Sequence, residues 1–552
     1  MPSALRPSLP RPTAGDVIAG ISVAHVLIPQ SLAYAKIAGV PPHVGLFAAA
    51  LPPLIAAPFT SSPYLQTGPG ATTSLLTFGA LSGLETVGTG DYVRLAALLA
   101  LLVGMTRLVL GLVRLGSIAY FMSEPVLKGF TTAAAILIVA SQIPSLFGAD
   151  PDSSGVVERA WSTLVHPDSW SRAAVGLSVL TIAFVLGSRR VHKLFPGVLV
   201  VVVAATIWSA VTDYTGATVG KLPGGWLSLS LDLPYAEWHH LVVPALLIAV
   251  VGFAEPASIS RTFAAADRIP WQANRELVGN GIANLASGIS GGYPIGGSFS
   301  RSSLNRFAGA QTVWAGAFTG IVVLAALPLV TNLEPLPLPV LGAIVVTAAL
   351  KLIQPRPLIA MWRQNTPQAA TAAATFGATL LFSPHVERGV LVGVALSVGL
   401  HLFREMRVDH DFDRAGDVLT IRPTGVVWFA STPALEDAFH AATAAHGDAG
   451  RLVVDLTHCG RLDYTGASTL SDLIDGAARA GFEIAIVEVP RMPSGPSRCS
   501  SGAGTASPPS PTSRPTTGTS GSRPGAAHPE PGEQSCGIRA SVHPLRRPPR
   551  TG

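Results

Sequence analysis

The sequence is dominated by apolar segments long enough to cross a lipid bilayer. The hydrocarbon core of a membrane is about 30 Å thick, and a straight helix needs about 20 apolar residues to cross it. Between about residues 16 and 404 such segments follow one another, with Gly and Pro between them and few charges. Over the whole chain 48% of residues are hydrophobic and only 12% are charged. This pattern excludes an entirely soluble enzyme and predicts a polytopic α-helical membrane protein.

Nine of the apolar segments are continuous, and five are shorter or interrupted. The continuous ones are Val93–Val113, Val126–Ile143, Ala173–Leu186, Leu194–Ala210, Leu241–Phe253, Val313–Val330, Leu338–Leu352, Ala369–Phe382 and Val390–Phe403. The weaker ones are Val17–Ala35, Val44–Pro58, Ala71–Leu84, Leu277–Ile289 and Phe299–Ala308. Together they predict about fourteen crossings, and an even number places both termini on the same side of the membrane.

The charges in the loops indicate which side that is. Lys and Arg collect in alternate loops, for example at Arg189 and Arg190, whereas Asp and Glu collect in the loops between them, for example at Glu85 and Asp91. Because cytoplasmic loops carry the excess of Lys and Arg, both termini are predicted to be cytoplasmic. The expected location is the plasma (inner) membrane, with membrane lipid around the protein.

Composition divides the chain into four regions. A short cytoplasmic N-terminus (residues 1–15) precedes the membrane region (16–404), a polar α/β region follows (409–490), and the last region (491–552) is rich in Pro, Ser and Arg. The last region has no periodicity and is predicted to be disordered. It carries eight Arg and two Glu, more than the whole net charge of +5, so no basic body remains to bind nucleic acid. No Cys/His spacing is typical of a metal site, and no metal or other cofactor is expected.

The membrane region contains a faint internal repeat. Pro29 and Pro256 each lie within a span and precede similar small, polar residues. Two spans after each of them comes a break rich in Gly, Ser and Thr, Thr67–Thr72 in the first half and Pro294–Arg301 in the second. Interrupted segments at matching places in two halves are typical of a transporter whose binding site lies at mid-membrane.

Each break is predicted to begin a short helix that helps to bind an anion. The free N–H groups and the dipole of a helix start attract negative charge. Pro69 suits the first position of one helix, since a proline there loses no hydrogen bond. Ser298 or Ser300 is predicted to open the other helix, and Arg301 adds a full positive charge. Two such starts facing each other beside Arg301 would form an anion site.

Three further side chains are candidates for this site. Glu255 follows more than a dozen uncharged residues, and a carboxylate inside a span is functional by default, here for coupling to a proton or Na⁺; the alternative is a structural pair with Arg301 or Arg261. Gln30 and Tyr34 lie one helical turn apart and share a face, from which both side chains could donate to an oxyanion. His25 on the same span is interpreted as a core or interface histidine rather than a proton relay.

Several motifs together resemble those of the SulP-type anion permeases. They are Asp16–Ala35 (DVIAGISVAHVLIPQSLAYA), Pro41–Leu46 (PPHVGL), Ser62–Pro69 (SPYLQTGP), Gly291–Ser302 (GGYPIGGSFSRS) and Ala308–Thr312 (AGAQT). The resemblance implies two inverted seven-helix repeats that form core and gate domains, a cytoplasmic STAS domain, elevator-type alternating access and a homodimer. Carried over residue by residue, the anion site would comprise Gln30, Tyr34, Gly70, Ala71, Glu255, Ser298, Phe299, Ser300 and Arg301.

The polar region fits a STAS domain. Strands are predicted at Val418–Arg422, Val426–Ala430, Arg451–Leu456 and Glu483–Val489, and helices at Pro433–His446 and Gly466–Ala480. Asp463–Gly466 resembles the STAS loop that carries a phosphorylatable residue, here Thr465, although a helix cap is the favoured role in a transporter. After Pro490 a STAS domain should continue through another strand and helix. The sequence that follows cannot pack, which predicts a truncated domain and a tail translated out of frame.

These observations favour a secondary active transporter of a small anion over an enzyme. Sulfate, bicarbonate and a dicarboxylate remain open as the anion, with proton coupling favoured over sodium coupling or an uncoupled route. A nucleobase–proton symporter on the same architecture is the main alternative, but neutral bases do not need so much positive charge. An anion channel, or a membrane-tethered signalling module that uses the STAS loop, also remains open.

Overall fold

The structure is a computed structural model that describes residues 10–117, 123–153, 155–191, 195–222, 227, 229–353, 355–406 and 409–487. The predictions of a disordered tail, of its reading frame and of a truncated STAS domain concern residues outside this described part.

The membrane region is helical throughout. Its first half contains α1 (Ala14–Ile37), α2 (Pro42–Ala56), α3 (Ala71–Leu81), α4 (Gly90–Leu112), α5 (Glu124–Phe147), α6 (Val156–Val165), α7 (Arg172–Val191) and α8 (Gly197–Val211). Its second half contains α9 (Trp238–Asp267), α10 (Ala273–Ile289), α11 (Phe299–Phe307), α12 (Trp314–Ala326), α13 (Leu338–Ala349), α14 (Pro355–Gln364), α15 (Thr366–Leu381) and α16 (Val386–Glu405). Each of the fourteen predicted segments coincides with a helix, whereas α6 and α14 were not predicted.

Seven helical segments in the described residues are long and apolar enough to cross a membrane by themselves. They are Ala14–Ile37, Pro42–Phe59, Gly90–Leu112, Glu124–Phe147, Tyr235–Asp267, Trp314–Leu333 and Val386–Glu405. Four shorter apolar helices, of 10–17 residues, accompany them. The prediction of a polytopic helical membrane fold is confirmed, while the count of fourteen crossings stays a prediction.

The membrane region also contains two strands of two residues each, one in each half. β1 (Thr67–Gly68) precedes α3 and β2 (Gly296–Gly297) precedes α11, so each strand leads into a short helix. The strands pair antiparallel, with Thr67 opposite Gly297 and Gly68 opposite Gly296. The interrupted segments that the sequence placed in separate halves therefore meet, and they meet in opposite directions.

Small residues let the surrounding helices approach closely. At Gly45 in α2, an added Cβ would lie only 2.0 Å from the backbone oxygen of Ser31 in α1. Any side chain there would force the two helices apart. The predicted motif around Gly45 is therefore a packing motif, and it fixes α2 against the helix that carries Gln30 and Tyr34.

The polar region forms a mixed sheet with helices. It contains β3 (Asp409–Ala415), β4 (Val418–Val427), α17 (Thr432–Ala445), β5 (Arg451–Asp455), β6 (Cys459–Leu462), α18 (Tyr464–Arg479) and β7 (Glu483–Val487). β3 pairs antiparallel with β4, while β5 runs parallel to both β4 and β7. Leu419 and Ile421 of β4 lie opposite Leu452 and Val454 of β5, and all four side chains are buried.

Two strand predictions in this region were wrong. Val418–Arg422 and Val426–Ala430 were predicted as separate strands, but Val418–Val427 is one strand, β4, and Trp428–Ala430 lie beyond its end. Pro423 lies within it, in the part that pairs with β3. Gly425 has a φ of 99°, a conformation that favours glycine, and next to it the register shifts as β4 pairs with β6. β3 and β6 were not predicted at all.

Candidate anion site between two helix starts

The strand pair brings two helix N-termini to one place. Gly70 is the N-cap of α3 and Ser298 is the N-cap of α11, and neither makes a side-chain capping bond. Because β1 and β2 pair antiparallel and each leads within three residues into its helix, both first turns begin beside the pair. The first N–H groups of a helix have no partner within that helix. The two turns therefore present donors to a common centre.

One detail of the helix starts differs from the prediction. Pro69 was predicted to occupy the first helical position, but α3 begins at Ala71. Gly70 has the extended conformation of an N-cap residue, with φ −137° and ψ 151°, so the first turn starts after it. Of the two serines, Ser298 opens α11, and Ser300 lies inside its first turn.

A cavity of about 840 Å³ opens beside the two helix starts. Eight of the nine residues predicted for the anion site line it, which are Gln30, Tyr34, Gly70, Ala71, Glu255, Ser298, Phe299 and Ser300. They come from α1, α9 and the two helix starts, so residues more than 200 positions apart face the same space. The ninth residue, Arg301, does not line the cavity.

Arg301 is fully buried next to the strand pair. None of its three guanidinium nitrogens has a hydrogen-bond partner among the described residues. A Cβ added at Gly68 would lie 3.6 Å from one of them, which places the guanidinium beside β1. It interacts electrostatically with Tyr34, Glu255 and Tyr293.

Glu255 lies inside the long helix α9, immediately before Pro256. Its carboxylate accepts a hydrogen bond from the Phe299 N–H at the first turn of α11, and it interacts electrostatically with Arg301. Glu255 and Arg301 form no ion pair within 4.0 Å. Glu255 thus contacts one helix start directly and remains on the cavity wall.

Gln30 and Tyr34 share a cavity-facing side of α1, as their spacing predicted. Both side chains are buried, and the Gln30 Oε1 atom has no hydrogen-bond partner among the described residues. A buried polar atom without a partner is costly, so such an atom beside a cavity is a candidate ligand contact.

The sequence analysis missed Arg107, which supports the site from behind. Arg107 is fully buried in α4, and its guanidinium donates to the carbonyl oxygens of Ile248, Ala249 and Ile295 at 3.0–3.1 Å. Ile295 immediately precedes β2, so Arg107 holds that strand against α9. A charge in the middle of the span Val93–Val113 was a signal that could have revealed it.

Two buried carboxylates hold the loops next to the short helices. Asp16 of α1 accepts hydrogen bonds from the Gln311 and Thr312 backbone N–H groups, both at 2.8 Å. Glu276 of α10 accepts from the backbone N–H groups of Ser61 and Ser62 at 3.1 and 2.8 Å. In each case a carboxylate from one half of the membrane region fixes a loop of the other half.

In the STAS region, Thr465 is not a helix cap. The N-cap of α18 is Asp463, whose side chain accepts hydrogen bonds from the N–H groups of Gly466 at 2.7 Å and Phe429 at 3.1 Å. Thr465 is the second residue of the helix and is exposed. The favoured cap role was therefore wrong, and phosphorylation of Thr465 stays a prediction.

Replacing Arg107 with Gln is expected to lower the free energy of unfolding by about 3–5 kcal/mol, because it leaves buried carbonyl groups without their donor. Thermal unfolding in detergent measures this change. Arg94→Gln is the matched control, since Arg94 lies on the same helix but forms exposed pairs with Asp91 and Asp232. Its expected effect is below about 1 kcal/mol. Equal losses in the two variants would contradict the supporting role of Arg107.

Comparison with known proteins identifies the family. Residues 14–375 match the sulfate permease family, and residues 410–494 match the STAS domain. "Probable sulfate transporter Rv1739c" of Mycobacterium tuberculosis is 35% identical over 404 residues, which are 72% of this chain and 71% of that protein. Sulfate transporter 4.1, chloroplastic, of Arabidopsis thaliana is 34% identical over 69% of this chain but only 57% of its own length.

Solved structures share the fold. The murine solute carrier 26 family member A9 anion transporter, in an inward-facing state, has a TM-score of 0.78 and 22% identity, and the match covers 86% of each chain. The transmembrane domain of the cyanobacterium bicarbonate transporter BicA has a TM-score of 0.60 and 22% identity, covering 70% of this chain and 97% of that one. The relatives are transporters, in agreement with the prediction of a transporter rather than an enzyme. The chain is a member of the sulfate permease family with a C-terminal STAS domain.

Proposed function

We propose that this protein is a secondary active transporter that moves a small oxyanion across the plasma membrane. The observation that carries the proposal is the Arg301 guanidinium, which is buried without a hydrogen-bond partner beside two helix N-termini at the cavity. A buried cation without a partner is strongly unfavourable. An anion at the helix starts would compensate that charge.

The charges around the cavity favour an anion over a neutral substrate. Each helix start contributes roughly half a positive charge, and Arg301 contributes one more. The only carboxylate among the described cavity-lining residues is Glu255, which offsets part of that charge. A neutral nucleobase would leave the remaining positive charge uncompensated, which argues against the nucleobase symporter.

Sulfate is the anion that we propose as the substrate. The curated relatives at about 35% identity are named as sulfate transporters, whereas the bicarbonate transporter is related at 22% identity. A tetrahedral dianion suits a site with several N–H donors on two sides, because each donor turn can bind different oxygens. Bicarbonate and dicarboxylates remain the alternative anions.

For alternating access, we propose that α1, α3, α9 and α11 move together with the bound anion. The two carboxylate-bound loops and the Arg107 contacts tie these helices into one unit. This unit would slide as the core domain against a gate domain formed by the remaining spans, in an elevator-type movement. Both termini would be cytoplasmic, and two chains would form a homodimer.

Uptake into proteoliposomes tests the substrate and the mechanism. Purified full-length protein should accumulate labelled sulfate, and an excess of unlabelled sulfate should compete better than bicarbonate, fumarate or chloride. Electrical recording on the same preparation distinguishes transport from a channel, because a channel would pass a sustained current at rates above those of alternating access. Failure of every anion to compete would refute anion transport.

Arg301→Gln should reduce sulfate uptake at least 100-fold, because it removes the full positive charge from the site and about 3 kcal/mol of charge-assisted binding. Arg306→Gln on the same helix is the control, since Arg306 is partly exposed and pairs with Asp267. We expect Arg306→Gln to retain most of the uptake, and Arg301→Gln to unfold at a temperature no lower than that of Arg306→Gln, because it removes a buried charge that has no partner. Normal transport by Arg301→Gln would remove this residue from the site.

Glu255 is proposed to couple the anion to a proton, with Na⁺ as the alternative. Glu255→Gln keeps the shape of the side chain but cannot ionise, so sulfate uptake should no longer respond to an imposed pH gradient. Binding of sulfate should persist, because the carboxylate is not needed to compensate the anion. The exposed Glu158→Gln is the control, and uptake with separate pH and sodium gradients is the measurement. Gradient dependence that survives in Glu255→Gln would make Glu255 a structural residue.

A further inference from the structure

A second set of polar groups lies along the cavity wall between the site and the start of α1. Ser22 and His25 line the cavity on the same helix as Gln30 and Tyr34. At 1.5 Å per residue, His25 lies about 7.5 Å from Gln30 along the helix axis. His25 therefore lies outside the site described above and on the route towards it.

The neighbouring helix α11, which packs against α1, provides a second polar group. The loop after α11 binds Asp16 at the start of α1, so α11 runs from the anion site back towards the beginning of α1. Ser303 lines the cavity about 6 Å along α11 from Phe299. Ser303 and His25 thus lie at similar depths, on two antiparallel helices that face the same cavity. The neighbouring lining residues Val26 and Leu304 are apolar.

The His25 ring is not engaged by other protein groups in the described part of the chain. His25 is half-buried, makes no hydrogen bond and has no charged partner in the described part of the chain. The other titratable residues that line the cavity are Tyr34, Glu255 and Lys351. The described lining residues of α3, α7, α8 and α11 include no other titratable group; of the two arginines of α11, Arg301 is buried behind the wall and Arg306 pairs with Asp267.

We infer that His25 and Ser303 form a proton-dependent subsite that binds the oxyanion on its way between the cavity mouth and the helix starts. The inference rests on the proposed function. Protonated imidazole donates from both ring nitrogens and carries a full positive charge, whereas neutral imidazole carries none. The Ser303 hydroxyl adds a donor from the neighbouring helix α11. Binding from this side therefore strengthens as the pH falls and weakens as the pH rises.

The size of the effect follows from the titration of an imidazole. The fraction of imidazole rings that carry a proton rises as the pH falls from 7.5 to 5.5. If the protonated ring binds much more tightly than the neutral one, the apparent affinity for sulfate rises about tenfold or more between these two values. Sulfate itself stays fully ionised over this range, so the change would report the protein.

Equilibrium binding of labelled sulfate to the purified full-length protein at pH 5.5 to 8 tests the inference. The wild-type affinity should rise about tenfold towards pH 5.5, and His25→Gln should abolish that rise. His25→Lys should bind with high affinity at every pH, because its charge is permanent. His43→Gln is the matched control: His43 is also half-buried, but it packs against Phe47 and does not line the cavity. It should keep the wild-type pH dependence.

The binding experiment distinguishes failure of the His25–Ser303 subsite from failure of the proposed function. If sulfate binds but His25→Gln retains the full pH dependence, the subsite is wrong and anion binding stands. If the dependence disappears in Glu255→Gln instead, the titrating group is Glu255 and the subsite is again wrong. Absence of sulfate binding to the wild type at every pH would refute sulfate as the substrate.

Discussion

The burial of the Arg301 guanidinium beside two helix starts is the constraint on which the site depends. The positive ends of two helices would by themselves repel a guanidinium, and burial removes the water that would otherwise stabilise it. The antiparallel pair formed by Gly68 and Gly296 nevertheless holds these groups together. On the proposed function, an anion at the common centre would relieve this arrangement and would add to the charge that Glu255 already provides.

The other buried charges show that this lack of a partner is specific to Arg301. Arg107 donates to three carbonyl oxygens, Asp16 accepts from the Thr312 N–H and hydroxyl groups, and Glu276 accepts from the loop at Ser61. These three residues bind mainly backbone groups, although the Oε1 atom of Glu276 has no partner in the described part of the chain, and they fix the loops and strands on either side of the site. The paired charges therefore hold the scaffold together, whereas the unpaired guanidinium of Arg301 lies buried behind the cavity wall beside the two helix starts.

The sequence predicted the helices and the members of the site better than their local geometry. Apolar length and Gly/Pro breaks identify every long helix, because burial in lipid demands both. Cap positions were predicted less well: Gly70 and Asp463 are the N-caps of α3 and α18, so Pro69 and Thr465 each lie two positions away from their predicted roles. Arg107 was missed because its partners are backbone carbonyl groups of α9 and of the residue before β2, which no local pattern encodes. β4 was divided in two because a proline and a glycine in sequence suggest a turn, whereas pairing with β3 and β6 keeps the strand continuous.

A transporter must release its substrate as well as bind it, and the arrangement of charge along the cavity meets both needs. Lys351 lines the cavity together with His25, while Arg301 lies buried behind its wall beside the helix starts. Positive charge spread along a route lowers the barrier between successive sites, since no single site must provide all of the attraction. Glu255 weakens anion binding instead, because its carboxylate interacts with Arg301 and accepts a hydrogen bond from one N–H donor of α11. A protonated Glu255 would no longer compete with the anion for these groups, so anion binding would become tighter. An ionised Glu255 would weaken anion binding. On the proposed function, the same carboxylate that limits affinity is therefore the one that links affinity to a proton.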